Sequence, residues 1–204
     1  APFKMATHWW LAIPAIPTLW MLFDVNYFMR CIFVALKETI SLKYSGKSNL
    51  FEETCTKGIC LTNDLDAFLH MNNARYLREC DFARFKLWLR TGVAGAVRQL
   101  GGSMTAGGST IRFRKSINLF NVYYIKTKVM CWDEKAFYVE QRLERPDGFV
   151  YAIVYIKQAL QKVSPDAVVK HLMGREVSRP TIPDEIQKWI ECNQISSDKL
   201  KKTS

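Results

Sequence analysis

Hydrophobic side chains recur with helical spacing between residues 72 and 90, and they leave the opposite side of this segment to charged residues. The apolar stripe contains Tyr76, Cys80, Ala83 and Leu87, with the spacing of three and four residues that one face of an α-helix requires. The segment is therefore predicted to be a long amphipathic helix, weakened beyond residue 91 by Gly92. The positions assigned to its polar side are Arg75, Arg78, Glu79, Lys86 and Arg90.

Apolar runs with a different period predict β-strands elsewhere in the chain. Residues 101–108 are rich in glycine and are predicted to be a linker, in which Gly107 and Gly108 mark a β-bulge. One short strand, one long helix and then an antiparallel meander make the protein α+β. The predicted strands are residues 54–62, 109–116, 122–131, 137–144 and 149–160.

The C-terminal part carries helix signals of its own. Ser164 and a proline at the first helical position predict a short helix that Gly174 ends, and Pro183 opens another that continues to Cys192. We divide the chain into an apolar leader and linker, a globular domain with its C-terminal helices, and a disordered basic tail. These three parts are residues 1–46, 47–195 and 196–204.

The leader is mostly apolar between residues 9 and 36. Trp9, Trp10 and Trp20 suit a membrane–water interface, and basic residues are more frequent after the segment than before it. We interpret the leader as an endomembrane anchor, in the endoplasmic reticulum, that keeps the globular domain in the cytosol. A cleaved signal peptide of a secreted protein and an amphipathic helix of a soluble protein are the alternatives.

Composition narrows the class of protein. With 49% hydrophobic and 24% charged residues, the chain is globular rather than disordered. Its net charge of +10 suits nucleic acid, an anionic membrane or a phosphate-bearing acyl carrier, and the separation of aromatic from basic positions argues against RNA. The six cysteines form no C-x-x-C pair, which predicts free thiols in a reducing compartment rather than a zinc site.

Residues 63–79 carry the candidate chemistry, in the sequence N-D-L-D-A-F-L-H-M-N-N-A-R-Y-L-R-E. They join an acidic turn to the first turn of the predicted helix, where the first backbone N–H groups lack helical partners and the helix dipole adds positive charge. A carboxylate beside such donors suits attack on a carbonyl group. The side chains concerned are Asp66, His70, Asn72, Asn73 and Tyr76.

The motif D-x-x-x-H-x-N-N-x-x-Y formed by these five residues resembles the hotdog-fold thioesterases, which include 4-hydroxybenzoyl-CoA thioesterase and the plant acyl-carrier-protein thioesterases. The resemblance covers residues 54–162, follows the same order of elements, and extends in more detail to an animal branch of the superfamily. It implies a long central helix wrapped by an antiparallel sheet, homodimers or larger assemblies with active sites at the subunit interface, and no metal or cofactor. Phe68 stands where the plant enzymes carry an asparagine.

The resemblance also implies roles for individual residues in the hydrolysis of a fatty acyl-CoA thioester. Asp66 attacks the thioester carbon itself or activates a water molecule, and His70 hydrogen-bonds that carboxylate or helps to bind the substrate. The backbone near Asn73 stabilises the oxyanion. Asp64 is assigned to stabilising the turn, and Glu79 is a further candidate acid because some hotdog enzymes use a helix glutamate.

Substrate binding is assigned to a second set of residues. Asn72 and Tyr76 belong to the helix start, and basic side chains on the strands are candidates for the CoA phosphates. A non-catalytic hotdog module that binds acyl-CoA or lipid, or serves as a membrane scaffold, is the alternative function. The basic candidates are Arg112, Arg114, Lys115, Lys126 and Lys128.

Overall fold

The computed structural model of the chain describes residue 20 and residues 23–201. The described residues form an α+β unit, as the sequence predicts. The helices are α1 (Val25–Ser45), α2 (Asn73–Arg90), α3 (Val93–Gln99), α4 (Pro165–Met173) and α5 (Asp184–Lys201). The strands are β1 (Thr54–Ile59), β2 (Ser103–Phe113), β3 (Val122–Trp132), β4 (Ala136–Glu144) and β5 (Val150–Gln161).

The five strands form one antiparallel sheet in the order β1-β3-β4-β5-β2. Helix α2 packs against this sheet, with its stripe of Tyr76, Cys80, Ala83 and Leu87 buried in the main core. A polar contact fixes the helix on the sheet, because buried Gln141 of β4 donates to the Cys80 carbonyl oxygen at 2.9 Å. This is the long helix on an antiparallel sheet that the sequence predicted.

The glycine-rich segment is a strand, not the predicted linker. Residues 103–113 form β2, which pairs with β5 along its length and has a register shift between Ala106 and Gly108, so the predicted bulge is confirmed. The glycines allow close approach: a Cβ on Gly102 would lie 2.3 Å from Val163 Cγ1, and one on Gly107 would lie 3.2 Å from Ala159 Cβ. Pairing with the long β5 outweighs the low strand propensity of glycine.

The polar side of α2 is partly covered, because α1 packs along it. Arg30 of α1 binds Glu79 with both of its terminal nitrogens, one of them 2.6 Å from Oε2. Asp24 accepts from Arg78 at 2.9 Å, and the buried Glu38 lies between two basic side chains of α2. The domain boundary predicted at residue 46 therefore separates α1 from α2, although these two helices pack together.

The C-terminal helices lie on the rest of the sheet and the core. Ser164 caps α4 by accepting from Ala167 N–H, and Gly174 ends this helix in the left-handed conformation, both as predicted. Helix α5 runs through Lys201, so the tail predicted to be disordered from residue 196 is helical as far as residue 201. Side-chain pairs one turn apart support it, including Gln194 with Asp198 at 2.8 Å.

The leader is only partly covered by the structure. Among the residues that the structure describes, no helix combines the length and the apolar character needed to cross a bilayer. Trp9 and Trp10, on which the anchor interpretation partly depends, lie outside the described residues.

Asp166 of α4 links the helix to the sheet and to the following loop. Its carboxylate accepts from Trp132 Nε1 at 2.9 Å and from Arg179 Nη2 at 2.6 Å, and the Arg179 hydrogen bonds are the main cause of its lowered pKa. A lowered folded-state pKa means that the charge stabilises the fold above the unfolded pKa of about 3.9 and loses this effect as the pH falls through the folded value.

We therefore expect Asp166→Asn to lower the free energy of unfolding by less than about 1 kcal/mol at pH 7, because this ion pair is largely exposed. The deficit should shrink progressively below about pH 4. Urea titrations of both proteins at pH 7 and in acid measure it. A deficit that grows in acid contradicts the assignment.

Candidate active site

Residues 65–71 form a tight, strained turn that leads into α2. Leu65 pairs with Met71 across the turn, Asp66 N–H donates to the His70 carbonyl oxygen at 3.0 Å, and Leu69 has a φ of 60°. A leucine in this left-handed region costs about 1–2 kcal/mol. Strain of this kind persists only where the surrounding structure fixes the backbone, which here holds Asp66 and His70 on one side of the turn.

Both oxygens of the Asp66 carboxylate have neighbours. Oδ1 accepts from Phe68 N–H at 2.9 Å, and Oδ2 lies 3.3 Å from His70 Nδ1, without the geometry of a hydrogen bond. The Asp66 side chain is 20% exposed and that of His70 is 33% exposed. The predicted pair is therefore brought together at the protein surface, where water or a substrate can reach it.

The start of α2 offers fewer free N–H donors for an oxyanion than the sequence predicts. The helix begins at Asn73, and Asn72 is its N-cap, accepting from Ala74 N–H at 2.9 Å with its side chain and from Arg75 N–H at 2.8 Å with its carbonyl. The Asn73 N–H makes no hydrogen bond within the described part of the chain. The expected cluster of free donors is thus reduced to one, at Asn73.

The cap predicts a measurable effect of Asn72. We expect Asn72→Ala to lower the free energy of unfolding by about 1 kcal/mol, because Ala74 N–H loses its acceptor. Asn72→Asp keeps an acceptor at that position and should be nearly neutral. Thermal and urea unfolding of the two variants against the parent measure the difference, and equal stability of both variants argues against the capping role.

Asp64, Tyr76 and Cys60 are buried next to the turn. Asp64 accepts from Leu61 N–H at 2.9 Å, which confirms its assignment to the turn. Tyr76, predicted to bind substrate, is buried with its hydroxyl accepting from Ile117 N–H at 3.1 Å. Burial, reinforced by the nearby Asp64, raises the pKa of Cys60 to about 11, so this thiol is not an available nucleophile at neutral pH.

Glu79 was predicted on the polar side of α2, but it is buried in the ion pair with Arg30. Both carboxylate oxygens are bound by the guanidinium, which leaves this glutamate poorly placed to act as a second acid. Its position could have been recognised, since Glu79 follows Tyr76 by three residues and precedes Ala83 by four, which puts it on the edge of the apolar stripe. No local signal in the sequence identifies Arg30 as its partner.

The basic candidates separate into two groups. Arg114, Lys115 and Arg145 surround the ring of Phe149, with the Arg114 guanidinium carbon 5.1 Å and Lys115 Nζ 6.0 Å from its centroid. This basic cluster lies near the turn, because Ile117 accepts from Met71 N–H and Asn118 pairs with His70. Arg145 and Phe149 were missed in the sequence, where they only flank a turn.

The remaining basic candidates are used elsewhere. Arg112 lies in a groove under α5 that Tyr155 and Trp189 also line. Lys126 binds Glu144 at 2.8 Å, and Lys128 lies 3.5 Å from Glu140. The structure therefore does not bring Arg112, Lys126 or Lys128 to the basic cluster.

Exposed apolar side chains border the turn. Phe68 is 81% exposed, Leu69 74% and Phe120 64%. Phe68 also stacks on the His70 ring at a centroid distance of 6.0 Å. Two cavities beside α2 are lined by residues further along the helix, and Asp66 is not among them. A single chain thus presents the Asp66–His70 pair beside exposed apolar side chains.

Comparison with known proteins identifies the family of the chain. Residues 60–190 match the model of a family described as the thioesterase-like superfamily. Protein THEM6 of Xenopus laevis is 43% identical over 195 residues, covering 95% of this chain and 93% of the relative. Protein THEM6 of Drosophila melanogaster is 38% identical over 195 residues, covering 95% and 98%. The predicted resemblance to the thioesterases and to their animal branch is confirmed.

A solved structure supports the fold. The probable thioesterase YbaW from Escherichia coli superposes with a TM-score of 0.51 and is 19% identical, covering 61% of this chain and 98% of its own. At this level of identity the likeness concerns the fold alone. The part of this chain outside the superposed 61% has no counterpart in that structure.

Proposed function

We propose a function for this chain, which belongs to the thioesterase-like superfamily, as the family match and the THEM6 relatives establish. The function that the site fits best is hydrolysis of an acyl-CoA thioester. The observation that carries the proposal is the Asp66 carboxylate, which accepts from Phe68 N–H and faces His70 in a strained turn seven residues before Asn73, whose N–H has no partner among the described residues.

The reaction needs an activated oxygen, a donor for the oxyanion and a leaving group. In the proposed mechanism Asp66 takes a proton from water as the water oxygen bonds to the thioester carbon, or its carboxylate bonds to that carbon and water later releases the acid. Asn73 N–H donates to the carbonyl oxygen as negative charge develops on it. The carbon–sulfur bond breaks, CoA leaves as the thiolate and is protonated, and the acid remains.

His70 has a supporting part in this proposal. Its Nδ1 faces Asp66 Oδ2 at 3.3 Å, while the Phe68 ring lies against the imidazole. We propose that a small reorientation of either side chain brings Nδ1 into hydrogen-bond geometry with the carboxylate oxygen that is not bound by Phe68 N–H, and so positions it for catalysis. The role resembles that of a group that holds a catalytic base in one orientation.

The CoA part of the substrate is assigned to the basic cluster of Arg114, Lys115 and Arg145. Arginine binds phosphate with two parallel hydrogen bonds, and several cations together favour a ligand with several phosphates. Arg145 is held by the exposed Asp147, so Arg114 and Lys115 are the cations that remain for a ligand. We expect loss of either to raise KM for CoA esters more than it lowers kcat.

A second copy of the chain is proposed to complete the site. The exposed Phe68, Leu69 and Phe120 surround the turn, and β2 is a long strand at the edge of the sheet. Both features favour a further chain at this end of the molecule. Light scattering after size exclusion should give a homo-oligomer, and a strictly monomeric, active protein contradicts this part of the proposal.

The outer face of α1 supports a proposed membrane location. A continuous apolar stripe on this helix faces away from α2, and the +10 net charge favours an anionic lipid surface. Phe33→Asp should reduce flotation of the protein with phosphatidylserine vesicles, and unchanged flotation contradicts the proposal. The stripe consists of Phe28, Met29, Ile32, Phe33, Leu36 and Ile40, each more than half exposed.

A thiol-release assay over CoA esters of increasing chain length tests the proposed activity. The observation that favours the alternative, a non-catalytic module, is Phe68 in the place of the asparagine of the plant enzymes. Turnover of any acyl-CoA above the rate in buffer supports the hydrolase. Tight binding of the whole series without CoA release favours the module.

A further inference from the structure

A cavity of about 710 Å³ lies between α1, the second half of α2, α3 and the start of β2. Its volume falls within the range of small-molecule sites, about 300–1,000 Å³. Side chains from α2 and β2, including Phe82, Trp88 and Met104, form most of the wall, and Val97 of α3 closes one side. Helix α1 completes the wall with Tyr27 and Cys31.

The charges at this cavity are mostly neutralised. Arg84 is buried and binds Asp81 and, at 3.1 Å, Gln141 Oε1, so its guanidinium has little capacity for a ligand anion. Arg98 is exposed at the edge. An interior of this composition accepts an uncharged apolar group and rejects the phosphates of CoA.

The cavity is aligned with the candidate active site along α2. At 1.5 Å per residue, the helix rises about 13 Å from Asn73 to Phe82 and about 22 Å from Asn73 to Trp88. Strand β2 follows the same path, since Phe113 contacts Tyr76 near the helix start while Met104 lines the cavity. A substrate held at the turn reaches the cavity only with a long chain.

We propose that this cavity is the subsite for the distal part of a long-chain acyl group, and that α1 limits the chain length through Cys31 and Tyr27. The inference rests on the proposed thioesterase function and names its substrate class. It also gives α1 two roles, since its inner face closes the acyl subsite while its outer face is the apolar stripe. The competing occupant of the cavity is a segment of a second copy of the chain.

Chain-length preference tests the subsite. Cys31→Trp adds bulk to the cavity wall, and Thr39→Trp adds comparable bulk at an exposed position of the same helix, outside the cavity and the apolar stripe. We expect Cys31→Trp to lower kcat/KM for palmitoyl-CoA at least about tenfold, with butanoyl-CoA little affected, because an apolar pocket discriminates at about this level for each methylene it cannot hold. Thr39→Trp should leave the ratio of the two substrates unchanged. An unaltered ratio in folded Cys31→Trp overturns the proposal.

Protection of a thiol tests binding without turnover and stays informative if Cys31→Trp misfolds. Asp66→Asn protein is alkylated with N-ethylmaleimide in the presence of palmitoyl-CoA, palmitate or free CoA below micelle concentrations, and each cysteine is quantified by mass spectrometry. Palmitoyl-CoA and palmitate should slow labelling of Cys31 several-fold, whereas free CoA should not. Cys55 and Cys192 are exposed and lie outside the cavity lining, so they are internal controls.

The outcomes separate this inference from the proposed function. Protection of Cys31 in a protein that never hydrolyses acyl-CoA supports the subsite and contradicts the enzyme. Hydrolysis without protection of Cys31 overturns the subsite and leaves the enzyme standing. Protection that follows protein concentration and ignores the lipid overturns the subsite in favour of a second copy.

Discussion

Replacing Asp66 with asparagine is expected to lower kcat for acyl-CoA hydrolysis by about 10²- to 10⁴-fold, the range contributed by a positioned general acid or base. The asparagine side chain can still accept from Phe68 N–H, so the turn should keep its shape, but it neither takes a proton from water nor attacks a thioester. Far-ultraviolet circular dichroism and the urea midpoint should stay close to those of the parent. The loss therefore reflects chemistry and not unfolding.

Asp198→Asn is the matched control, since it makes the same substitution on the exposed surface of α5. It should leave kcat unchanged. Full activity of Asp66→Asn, or an equal loss in Asp198→Asn, contradicts the role given to Asp66. A loss in Asp66→Asn that tracks a lowered urea midpoint assigns the carboxylate to the turn alone.

Arg30→Ala is expected to have the largest effect on stability among the single changes at the surface of the molecule. The substitution leaves the Glu79 carboxylate, only 5% exposed, without its partner. Removing one member of a buried pair costs about 3–5 kcal/mol, and the 47% exposure of Arg30 reduces this, so we expect about 1–3 kcal/mol from urea titrations. Helix α1 should also become more accessible to proteases, because it loses its main polar contact with α2.

Two further variants identify the cause. Adding Glu79→Gln to Arg30→Ala removes the unpaired charge and should recover a measurable part of the lost stability. Lys37→Ala, on an exposed position of α1, should change the free energy of unfolding by no more than about 0.5 kcal/mol. Equal effects of Arg30→Ala and Lys37→Ala contradict the claim that this ion pair fastens α1 to the domain.

The parts of the fold that were predicted are those for which local pattern and tertiary structure agree. The stripe on α2 and the alternating run of β3 bury the side that their period indicates, and α4 has the caps that its sequence predicts. The first half of strand β2 was missed because its glycines suppress the local strand signal, while its place at the edge comes from pairing with β5 and from the close approach to Ala159 and Val163. Such contacts have no local trace in the sequence.

The candidate site divides in the same way. Asp66, His70 and Asn73 lie in one motif of eight residues, so their proximity follows from a single turn and helix start. The partner of Glu79 is 49 positions away in the chain, on a helix whose apolar pattern indicates a membrane as readily as a protein core. The basic cluster likewise gathers around Phe149 only after the sheet has formed.

A single-turnover experiment tests most directly the claim that Asp66 supports hydrolysis of an acyl-CoA thioester. Excess parent protein is mixed with palmitoyl-CoA in ¹⁸O-labelled water, and the products are identified by mass spectrometry over time. A carboxylate held at the start of α2 should yield free CoA and palmitate in equal amounts, with labelled oxygen in the acid, much faster than in buffer. Intact palmitoyl-CoA that remains bound to the protein throughout contradicts the account.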